Sequence, residues 1–370
     1  MTNPKQIIKE LLDSAGIKIN GDKPWDIQVH NEGLYSRVLS GGSLALGESY
    51  MDGWWDVEKL DQFFYKISMA KSETKVKPLK LIVPFVKANL LNMQSKSKSK
   101  HVAQQHYDLG NDFYENMLDK RMQYTCAYWK NAKTLDQAQE AKLDLVCRKT
   151  KLKKGDRVLE LGGGWGGFAK YAAQKYGCHV TSYNISEEQV KYARELCKGL
   201  PVQIILGDYR EAKGKYDKVI SIGMCEHVGY KNYKKFMQLA YDCLDKGGIF
   251  FVHTIASNKS VKSCEPWFDK YIFPHGMLPS VEQLGKAMDK LFILEDWHNF
   301  GTYYDKTLME WYKNFDKNWY KFQKQYGDRF YRMWKYYLLS LPGTFRARGI
   351  QLWQIVLSKD GVPGGYESER

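Results

Sequence analysis

The segment "DRVLELGGGWGG" (residues 156–167) says most about the architecture of this chain. A short apolar run, typical of a buried strand, leads directly into a glycine-rich turn. Gly162, Gly164 and Gly167 match the pattern G-x-G-x-x-G, which lies between a strand and a helix in several nucleotide-binding folds. Glycines there allow the backbone to approach a ligand closely, although a tight turn without a ligand would also explain them.

Strand and helix patterns alternate after this turn. The segment "FAKYAAQKYG" is typical of a helix, "HVTSYNIS" of a strand, and "EEQVKYARELCKG" of a helix that Ser186 is placed to cap. The strand patterns "VQIILGDYR", "YDKVISIGMCEHV" and "GIFFVHTIA" follow, with a helical pattern before the last of them. This alternation predicts a parallel sheet with helices on both faces, in which ligands bind at the carboxyl ends of the strands.

The residues around the turn favour a cationic ligand over a dinucleotide. An NAD site would place an acid at the end of the second strand, and "TSYNIS" has none. Glu160 precedes the glycines, where a carboxylate would attract the sulfonium and ammonium groups of S-adenosylmethionine. Asp208, at the end of a third strand, could accept hydrogen bonds from an adenine amino group. The leading interpretation is therefore a class I methyltransferase.

Composition sets the broader limits. The 370 residues carry a formal net charge of +14, so we expect an anionic partner such as a nucleic acid, an acidic membrane surface or a charged small molecule. The seven cysteines form no C-x-x-C pair, which disfavours zinc and thioredoxin-type sites and suits a reducing cytosol. We expect no metal, no signal peptide and no transmembrane segment.

Two segments outside the sheet region have open interpretations. Residues 71–100 hold eight lysines against one acid, Glu73, and form either a solvated tether or an electrostatic contact with anionic lipid. Eight of the twelve aromatic side chains between residues 311 and 337 are spaced as one helical face, which either packs into a core or lines an acyl-chain tunnel. Gly327 lies within that segment and predicts a break or bend.

Seven motifs occur in the order found in the cyclopropane-fatty-acyl-phospholipid synthases, which this chain resembles. They are "HYDLGNDFY" (106–114), "MQYTCAYW" (122–129), "VLELGGGWGG" (158–167), "NISEEQ" (184–189), "GMCEHVG" (223–229), "FVHTIAS" (251–257) and "FPHGMLPS" (273–280). The resemblance covers nearly the whole chain, and residues 100–357 are also similar to the mycolic acid cyclopropane synthases.

The resemblance implies an architecture of two domains. The larger is a class I S-adenosylmethionine-dependent methyltransferase domain, an α/β fold with a Rossmann-like, seven-stranded, mostly parallel sheet. A small, mostly helical N-terminal domain precedes it. The expected boundaries are 1–90 for the small domain, which would contact lipid or form a dimer, 91–105 for a basic linker, and 106–370 for the catalytic domain.

The resemblance also implies a reaction. A methylene group from S-adenosylmethionine is added to the cis double bond of an unsaturated acyl chain in a membrane phospholipid. Methyl transfer leaves a carbocation, and loss of a proton from the transferred methyl closes a cyclopropane ring. In this family a bound bicarbonate ion accepts that proton. A strongly nucleophilic side chain would trap the carbocation, so Cys126 is interpreted as a small hydrogen-bond donor; alone, it would more often be a buried apolar group.

Two sets of residues match the expected site. The implied catalytic residues, which hold the bicarbonate, are Cys126, Glu226, His253, Ile255 (through its backbone) and Tyr304. The residues expected at the cofactor are Tyr124, Thr125, Glu160, Gly162, Gly164, Asn184, Gln189, Asp208, Tyr209 and Arg210. The chain departs from the family at Thr125, which replaces the usual serine but keeps the hydroxyl, and at Cys225, where an aromatic residue is common.

The implied partners are a membrane phospholipid with unsaturated acyl chains, an anionic bilayer surface and a second copy in a homodimer. The expected location is cytoplasmic, on the inner face of the cytoplasmic membrane. A nucleic-acid methyltransferase would also explain the charge, but we find no N-P-P-Y-type motif or RNA-binding module, and no nucleic-acid partner is expected. Another lipid or small-molecule acceptor within the same family remains an alternative, as does a non-catalytic lipid-binding protein.

Overall fold

The computed structural model describes residues 3–73 and 109–370. The predicted linker at 91–105 and most of the lysine-rich segment lie outside these ranges. The described residues form two compact units. The first contains residues 3–73, 263–274 and 304–350, and the second contains residues 109–262, 275–303 and 351–370. Within the described ranges, no helix is both long enough and apolar enough to cross a bilayer.

The helices and strands are numbered in chain order. The helices are α1 (Pro4–Ser14), α2 (Gly33–Met51), α3 (Leu60–Glu73), α4 (Asn111–Glu115), α5 (Leu135–Lys149), α6 (Gly167–Tyr176), α7 (Glu187–Leu196), α8 (Tyr233–Cys243), α9 (Pro266–Tyr271), α10 (Val281–Met288), α11 (Thr302–Asn318) and α12 (Gln323–Arg346). The strands are β1 (Gln28–Val29), β2 (Trp55–Asp56), β3 (Arg157–Leu161), β4 (His179–Asn184), β5 (Val202–Leu206), β6 (Tyr216–Ile222), β7 (Leu244–Ser257), β8 (Ile293–Asn299) and β9 (Ile350–Ser358).

The second unit is built on one sheet. Among the described residues, seven strands follow the order β5-β4-β3-β6-β7-β9-β8. The pairs β3/β4, β3/β6, β4/β5 and β6/β7 are parallel, and β8/β9 is antiparallel. The predicted fold class is therefore confirmed. Because β3, β4, β6 and β7 run in the same direction, the residues that follow them meet at one edge of the sheet.

Alternate residues of the central strands enter two different cores. Leu159 and Phe250 belong to a cluster with α8 and α10, whereas Val158 and Phe251 belong to a cluster with α5, α6 and α7. This division follows from the period of two in a strand, which directs neighbouring side chains to opposite faces. Both faces of the sheet are therefore covered by helices. The predicted cap is present, since the Ser186 hydroxyl accepts a hydrogen bond from the backbone N–H of Gln189 at 3.4 Å.

The first unit is mostly helical and combines three stretches of the chain. The ring of Tyr336 on α12 lies 5.5 Å from that of Tyr50, 5.2 Å from that of Phe64 and 4.5 Å from that of Trp267. The predicted boundary near residue 90 differs from this arrangement, because residues 263–274 and 304–350 pack with the N-terminal helices. Aromatic packing between distant stretches, and not chain continuity, defines the unit.

The aromatic face between residues 311 and 337 is divided by burial. Trp311, Phe315, Trp334 and Tyr337 are buried, whereas Trp319, Phe322, Tyr326 and Phe330 are half-exposed. Core packing therefore accounts for the two ends of the segment. The predicted break is present at Gly327, whose φ of 71° interrupts the helical geometry of α12.

Candidate active site

The glycine-rich turn between β3 and α6 has one open position. The backbone N–H groups of Gly162 and Gly163 donate to the carbonyl of Tyr183 at 3.0 and 3.1 Å, which holds the turn against β4. A side chain at Gly163 would collide with Ser182, and one at Gly162 would meet Met224 at 2.8 Å. Among the residues that the structure describes, no atom lies within 4 Å of a Cβ placed on Gly164, whose φ is +52°. Gly164 is thus where a ligand can approach the backbone closely.

Glu160 places a buried carboxyl beside this turn. Its Oε2 accepts a hydrogen bond from the hydroxyl of Ser182 at 2.6 Å. Burial raises the pKa of Glu160 to about 7, although the Ser182 hydrogen bond and the charge of Lys142 act in the opposite direction. A cationic ligand at the turn would favour the ionised carboxylate, because opposite charges attract strongly away from water.

Asn184 and Gln189 border the same turn. The side-chain amide of Asn184 donates to the carbonyl of Gly164 and to Oε1 of Gln189, both at 2.9 Å. The Nε2 group of Gln189 is buried and has no hydrogen-bond partner in the described parts of the chain. A buried donor of this kind usually has a partner, so the site has capacity for an acceptor on a ligand.

The predicted residues Asp208, Tyr209 and Arg210 follow β5. The backbone N–H of Gly207 donates to the carbonyl of Asn184 at 2.9 Å, which joins this segment to the end of β4. Asp208 is buried, and its Oδ1 accepts from the backbone N–H of Arg210 at 2.9 Å. The guanidinium of Arg210 lies 5.2 Å from the centre of the Tyr209 ring. These three residues therefore lie at the carboxyl end of β5.

Glu226 and Ile255 are in direct contact. Glu226 lies in the short turn Cys225–His227 after β6, and its Oε1 accepts from the backbone N–H of Ile255 at 2.6 Å. The second oxygen, Oε2, is buried and has no hydrogen-bond partner within the described ranges. Burial raises the pKa of Glu226 to about 7. The carboxyl therefore titrates near neutral pH and has one oxygen available to a small polar ligand.

His253 on β7 is a buried, neutral imidazole. Gln354 donates from Nε2 to Nδ1 of His253 at 3.3 Å, so the ring proton lies on Nε2. That Nε2 is buried and has no partner among the described residues. Burial holds the pKa of His253 well below its usual value, and the charges of Lys142 and Lys149 lower it further. The backbone carbonyl of His253 accepts from Gly223 at 2.8 Å, next to the turn that carries Glu226.

The segment Tyr124–Cys126 lies against the end of β6. Cys126 is fully buried, and its Sγ donates to the carbonyl of Ala127 at 3.3 Å. The methyl group of Thr125 would lie 2.5 Å from a Cβ on Gly223, which shows how closely the segment approaches that turn. The ring of Tyr124 lies 5.4 Å from that of Tyr114. Cys126 therefore belongs to a packed segment beside the strand ends.

An aromatic cluster lies beside His253 and was not predicted from the sequence. The Phe300 ring is 6.1 Å from the imidazole of His253, 5.3 Å from Tyr128 and 5.8 Å from Tyr303. The negative face of an aromatic ring attracts a cation, by about 2 kcal/mol or more when water is excluded. Such a cluster can stabilise positive charge in a buried site.

Tyr304 belongs to the first unit, whereas the other four predicted catalytic residues belong to the second. It is buried, and its ring lies 4.7 Å from that of Phe345 and 5.9 Å from that of Trp311. Its participation in the site stays a prediction.

Comparison with known proteins agrees with this geometry. The solved structure of the mycolic acid cyclopropane synthase CmaA1 complexed with SAH and CTAB is 27% identical to this chain, with a TM-score of 0.66. The match covers 70% of this chain and 98% of CmaA1. The fold is thus that of the class I S-adenosylmethionine-dependent methyltransferases. Residues 94–355 match the model of the mycolic acid cyclopropane synthetase family, and the chain belongs to that family.

Two relatives bear on the acceptor. The cyclopropane-fatty-acyl-phospholipid synthase of Escherichia coli (strain K12) is 49% identical over 366 residues, which are 99% of this chain and 96% of that protein. The sphingolipid C9-methyltransferase A of Emericella nidulans is 35% identical over 289 residues, which are 73% of this chain and 56% of that protein. The resemblance predicted from the sequence motifs is therefore confirmed.

Proposed function

We propose that this protein adds a methylene group from S-adenosylmethionine to the cis double bond of an unsaturated acyl chain in a membrane phospholipid. The product is a cyclopropane ring. The observation that carries the proposal is the 49% identity, over 99% of the chain, to a relative named as a cyclopropane-fatty-acyl-phospholipid synthase. The buried groups at the carboxyl edge of the sheet supply a chemical rationale.

The residues around the glycine-rich turn fit S-adenosylmethionine. Gly164 leaves room for close approach, Glu160 offers a carboxylate to a cationic ligand, and Gln189 has a free buried donor. When bound, S-adenosylmethionine supplies an electrophilic methyl group. Asn184 would hold Gln189 and the turn in position, and Asp208 would accept hydrogen bonds from the adenine end. We also assign Tyr124, Thr125, Tyr209 and Arg210 to this site.

The reaction requires a site that is dry and tolerates positive charge. The methyl group forms a bond to one alkene carbon as its bond to the sulfonium sulfur breaks, and the electron pair of that broken bond leaves with S-adenosylhomocysteine. Positive charge is left on the other alkene carbon. A proton then leaves the transferred methyl, and its electron pair closes the third side of the ring, so the acyl chain gains one CH2. Cys126, Glu226 and His253 are all buried, and the faces of Phe300 and Tyr128 are suited to stabilise the developing charge.

A bicarbonate ion held by these residues is our candidate for the proton acceptor. His253 is better suited to hold an anion than to act as the base, because Nδ1 accepts from Gln354 and Nε2 is left as a donor. The N–H of His253 and the free oxygen of Glu226 match the acceptors and the hydroxyl of bicarbonate. Ile255 contributes by fixing Glu226 through its backbone N–H, and Cys126 and Tyr304 would complete the set of holders.

Association with a membrane follows from the substrate. The double bond lies below the lipid headgroups, so an enzyme of this kind must dock on the bilayer and receive an acyl chain from it. We propose docking on an anionic surface through the lysine-rich residues 71–100, peripheral attachment to the inner face of the cytoplasmic membrane, and a homodimeric state. Attraction of about 1 kcal/mol per lysine near an anionic surface is enough for reversible docking.

The test uses the purified chain, S-adenosylmethionine and vesicles of a monounsaturated phospholipid. We expect the acyl chains to gain one CH2 by mass spectrometry and to lose their alkene protons in NMR spectra. A methyl-branched product has the same mass but retains a double bond, and it would favour the alternative suggested by the sphingolipid methyltransferase relative. Vesicles that gain no CH2, in the presence of bound S-adenosylmethionine, would overturn a lipid acceptor of this type.

The bicarbonate assignment has its own test. Activity in buffer stripped of carbon dioxide is expected to fall and to return when bicarbonate is added. Activity that is independent of bicarbonate would point to Glu226 itself as the base, because its second oxygen is free and its pKa is about 7.

A further inference from the structure

Lys142 carries an ammonium group in the interior of the second unit. Its side chain on α5 has no exposed surface. Its Nζ donates to Oε1 of Gln123 at 2.5 Å and to the hydroxyl of Thr125 at 2.9 Å. Burial of a charge is unfavourable, and both of these hydrogen-bond partners are neutral. The position therefore requires a reason beyond packing.

Both hydrogen-bond partners of Lys142 lie against the turns that follow the central strands. A Cβ on Gly167, at the start of α6, would collide with the side-chain amide of Gln123. A Cβ on Gly223, after β6, would meet the methyl group of Thr125 at 2.5 Å. Strands β3 and β6 are neighbours in the sheet. One ammonium group therefore connects the segment 123–125 to the turns after both strands.

The charge of Lys142 also acts on the titratable groups around it. It lowers the pKa of Glu160 and that of His253, whereas Asp119, Cys126 and Glu160 favour its own charged form. Burial is nevertheless the largest influence on Lys142, and it lowers the pKa to about 8. At neutral pH the ammonium form therefore dominates. It favours an ionised Glu160 and a neutral His253.

We infer that Lys142 is a positioning residue of the methyl-donor site: its ammonium group holds the segment 123–125 against the turns that follow β3 and β6, and its charge acts on the carboxyl of Glu160. This assignment rests on the proposed function, since S-adenosylmethionine is the ligand.

The test is the pH dependence of S-adenosylmethionine binding, measured by calorimetry for the wild type and for Lys142→Met. Without the ammonium group, the pKa of Glu160 rises. For a rise of about one unit, the fraction of ionised Glu160, and with it the affinity, falls roughly eightfold at about pH 6.5 but less than about twofold at about pH 9. The loss of affinity is therefore expected to shrink as the pH rises.

Lys149 provides a matched control on the same helix. It is equally buried, and its Nζ pairs with Asp296 at 2.9 Å; its charge acts on His253 but is not among the influences on Glu160. We expect Lys149→Met to lower thermal stability and to leave the pH profile of S-adenosylmethionine binding unchanged. Lys142→Arg, which keeps the charge, is expected to retain the wild-type profile.

Two results distinguish a failure of the inference about Lys142 from a failure of the proposed function. A wild-type protein that binds no S-adenosylmethionine at any pH would contradict the proposed function. A wild type that binds, with Lys142→Met weakening binding by the same factor at every pH, would overturn the inference and leave Lys142 with a purely structural role. If Lys142→Met does not fold, Lys142→Gln takes its place, and an unchanged pH profile in that variant overturns the inference equally.

Discussion

Gln354 donates a hydrogen bond from its side-chain amide to Nδ1 of His253 at 3.3 Å. The two residues lie on β9 and β7, which are neighbours in the sheet. Because Nδ1 accepts this bond, the neutral imidazole carries its proton on Nε2, which is buried and has no partner in the described ranges. The last strand of the chain thus determines which nitrogen of His253 can donate to a ligand.

Replacement of Gln354 by Met should remove the hydrogen bond that fixes this tautomer of His253. We expect kcat to fall about tenfold, as for other losses of groups that orient a catalytic side chain, while S-adenosylmethionine affinity is unchanged. Steady-state kinetics and calorimetry measure the two quantities. Gln351→Met is the matched control, because Gln351 is also buried on β9 but accepts from Asn299 at 3.1 Å. An equal loss of kcat in both variants would argue against orientation of His253.

Glu226→Gln should separate chemistry from cofactor binding. Glutamine keeps an oxygen to accept from Ile255 but cannot carry a negative charge. We expect most of the activity to be lost while S-adenosylmethionine still binds, because Glu226 holds the proton acceptor and does not contact the cofactor in our assignment. Loss of cofactor binding in this variant would contradict that assignment.

The same variant should change how stability depends on pH. The pKa of Glu226 rises from an ordinary value of 4.5 to about 7 in the folded state. Between these values the folded state binds more protons than the unfolded state, so wild-type stability falls as the pH rises, by on the order of 3 kcal/mol from this group. Glutamine does not titrate, so the Glu226→Gln variant lacks this loss of stability.

We therefore expect the Glu226→Gln variant to gain stability relative to the wild type at about pH 8 but not at about pH 4. Urea unfolding at the two pH values measures the difference. A difference that is the same at both would show that the Glu226 carboxyl is not buried in the way described.

Gly223→Ala should displace Thr125. The φ of Gly223 is +68°, and an added Cβ would lie 2.5 Å from the Thr125 methyl group. We expect a loss of about 2 to 4 kcal/mol in unfolding free energy, from backbone strain and overpacking together. Gly199→Ala is the control, since the φ of Gly199 is +78° and an added Cβ would meet no atom of the described residues within 4 Å. Its expected loss is only about 1 to 2 kcal/mol, and equal losses would exclude a contact with Thr125.

The proposed docking of the lysine-rich residues 71–100 on a membrane leads to a further prediction. Replacement of Lys96, Lys98 and Lys100 by Gln should weaken binding to anionic vesicles and activity on them, while S-adenosylmethionine affinity is unchanged. Binding should also fall steeply with salt, because the Debye length shrinks to about 3 Å at 1 M. Sedimentation with vesicles measures both effects.

A control variant makes the same change in net charge elsewhere. Lys191, Lys198 and Lys286 are exposed on the second unit, and their replacement by Gln should weaken vesicle binding less. Equal weakening would mean that net charge governs docking. Vesicle binding that is indifferent to salt and to all six lysines would indicate apolar insertion instead.

The sheet and most of the residues at its carboxyl edge could be predicted, because each strand is recognisable from its own short stretch of sequence. Each of Glu160, Asn184 and Asp208 lies at or just after a strand with a clear apolar pattern. Parallel direction then places their side chains at one edge. Glu226 and His253 follow the same rule on β6 and β7, and the structure brings Glu226 into contact with Ile255.

The other residues around the candidate site could not be predicted, because their positions depend on packing between segments that are distant in the sequence. Lys142 lies in a helix rich in charged residues, where a lysine usually indicates a solvated face. Gln354 and Phe300 reach His253 only after the last strands join the sheet. The composition of the first unit was missed for the same reason, since Tyr336 meets Tyr50 across almost three hundred intervening positions.

The assembly of the first unit from three separated stretches has a consequence during protein synthesis. Helix α3 ends at Glu73, whereas its packing partner α12 ends at Arg346. At a translation rate of about 5 to 20 residues per second, the N-terminal helices leave the ribosome roughly 15 to 55 s before that partner is complete. During this interval the rings of Tyr50 and Phe64 have no Tyr336 to cover them. Until α12 is made, these rings of the N-terminal segment are exposed to solvent or to a chaperone.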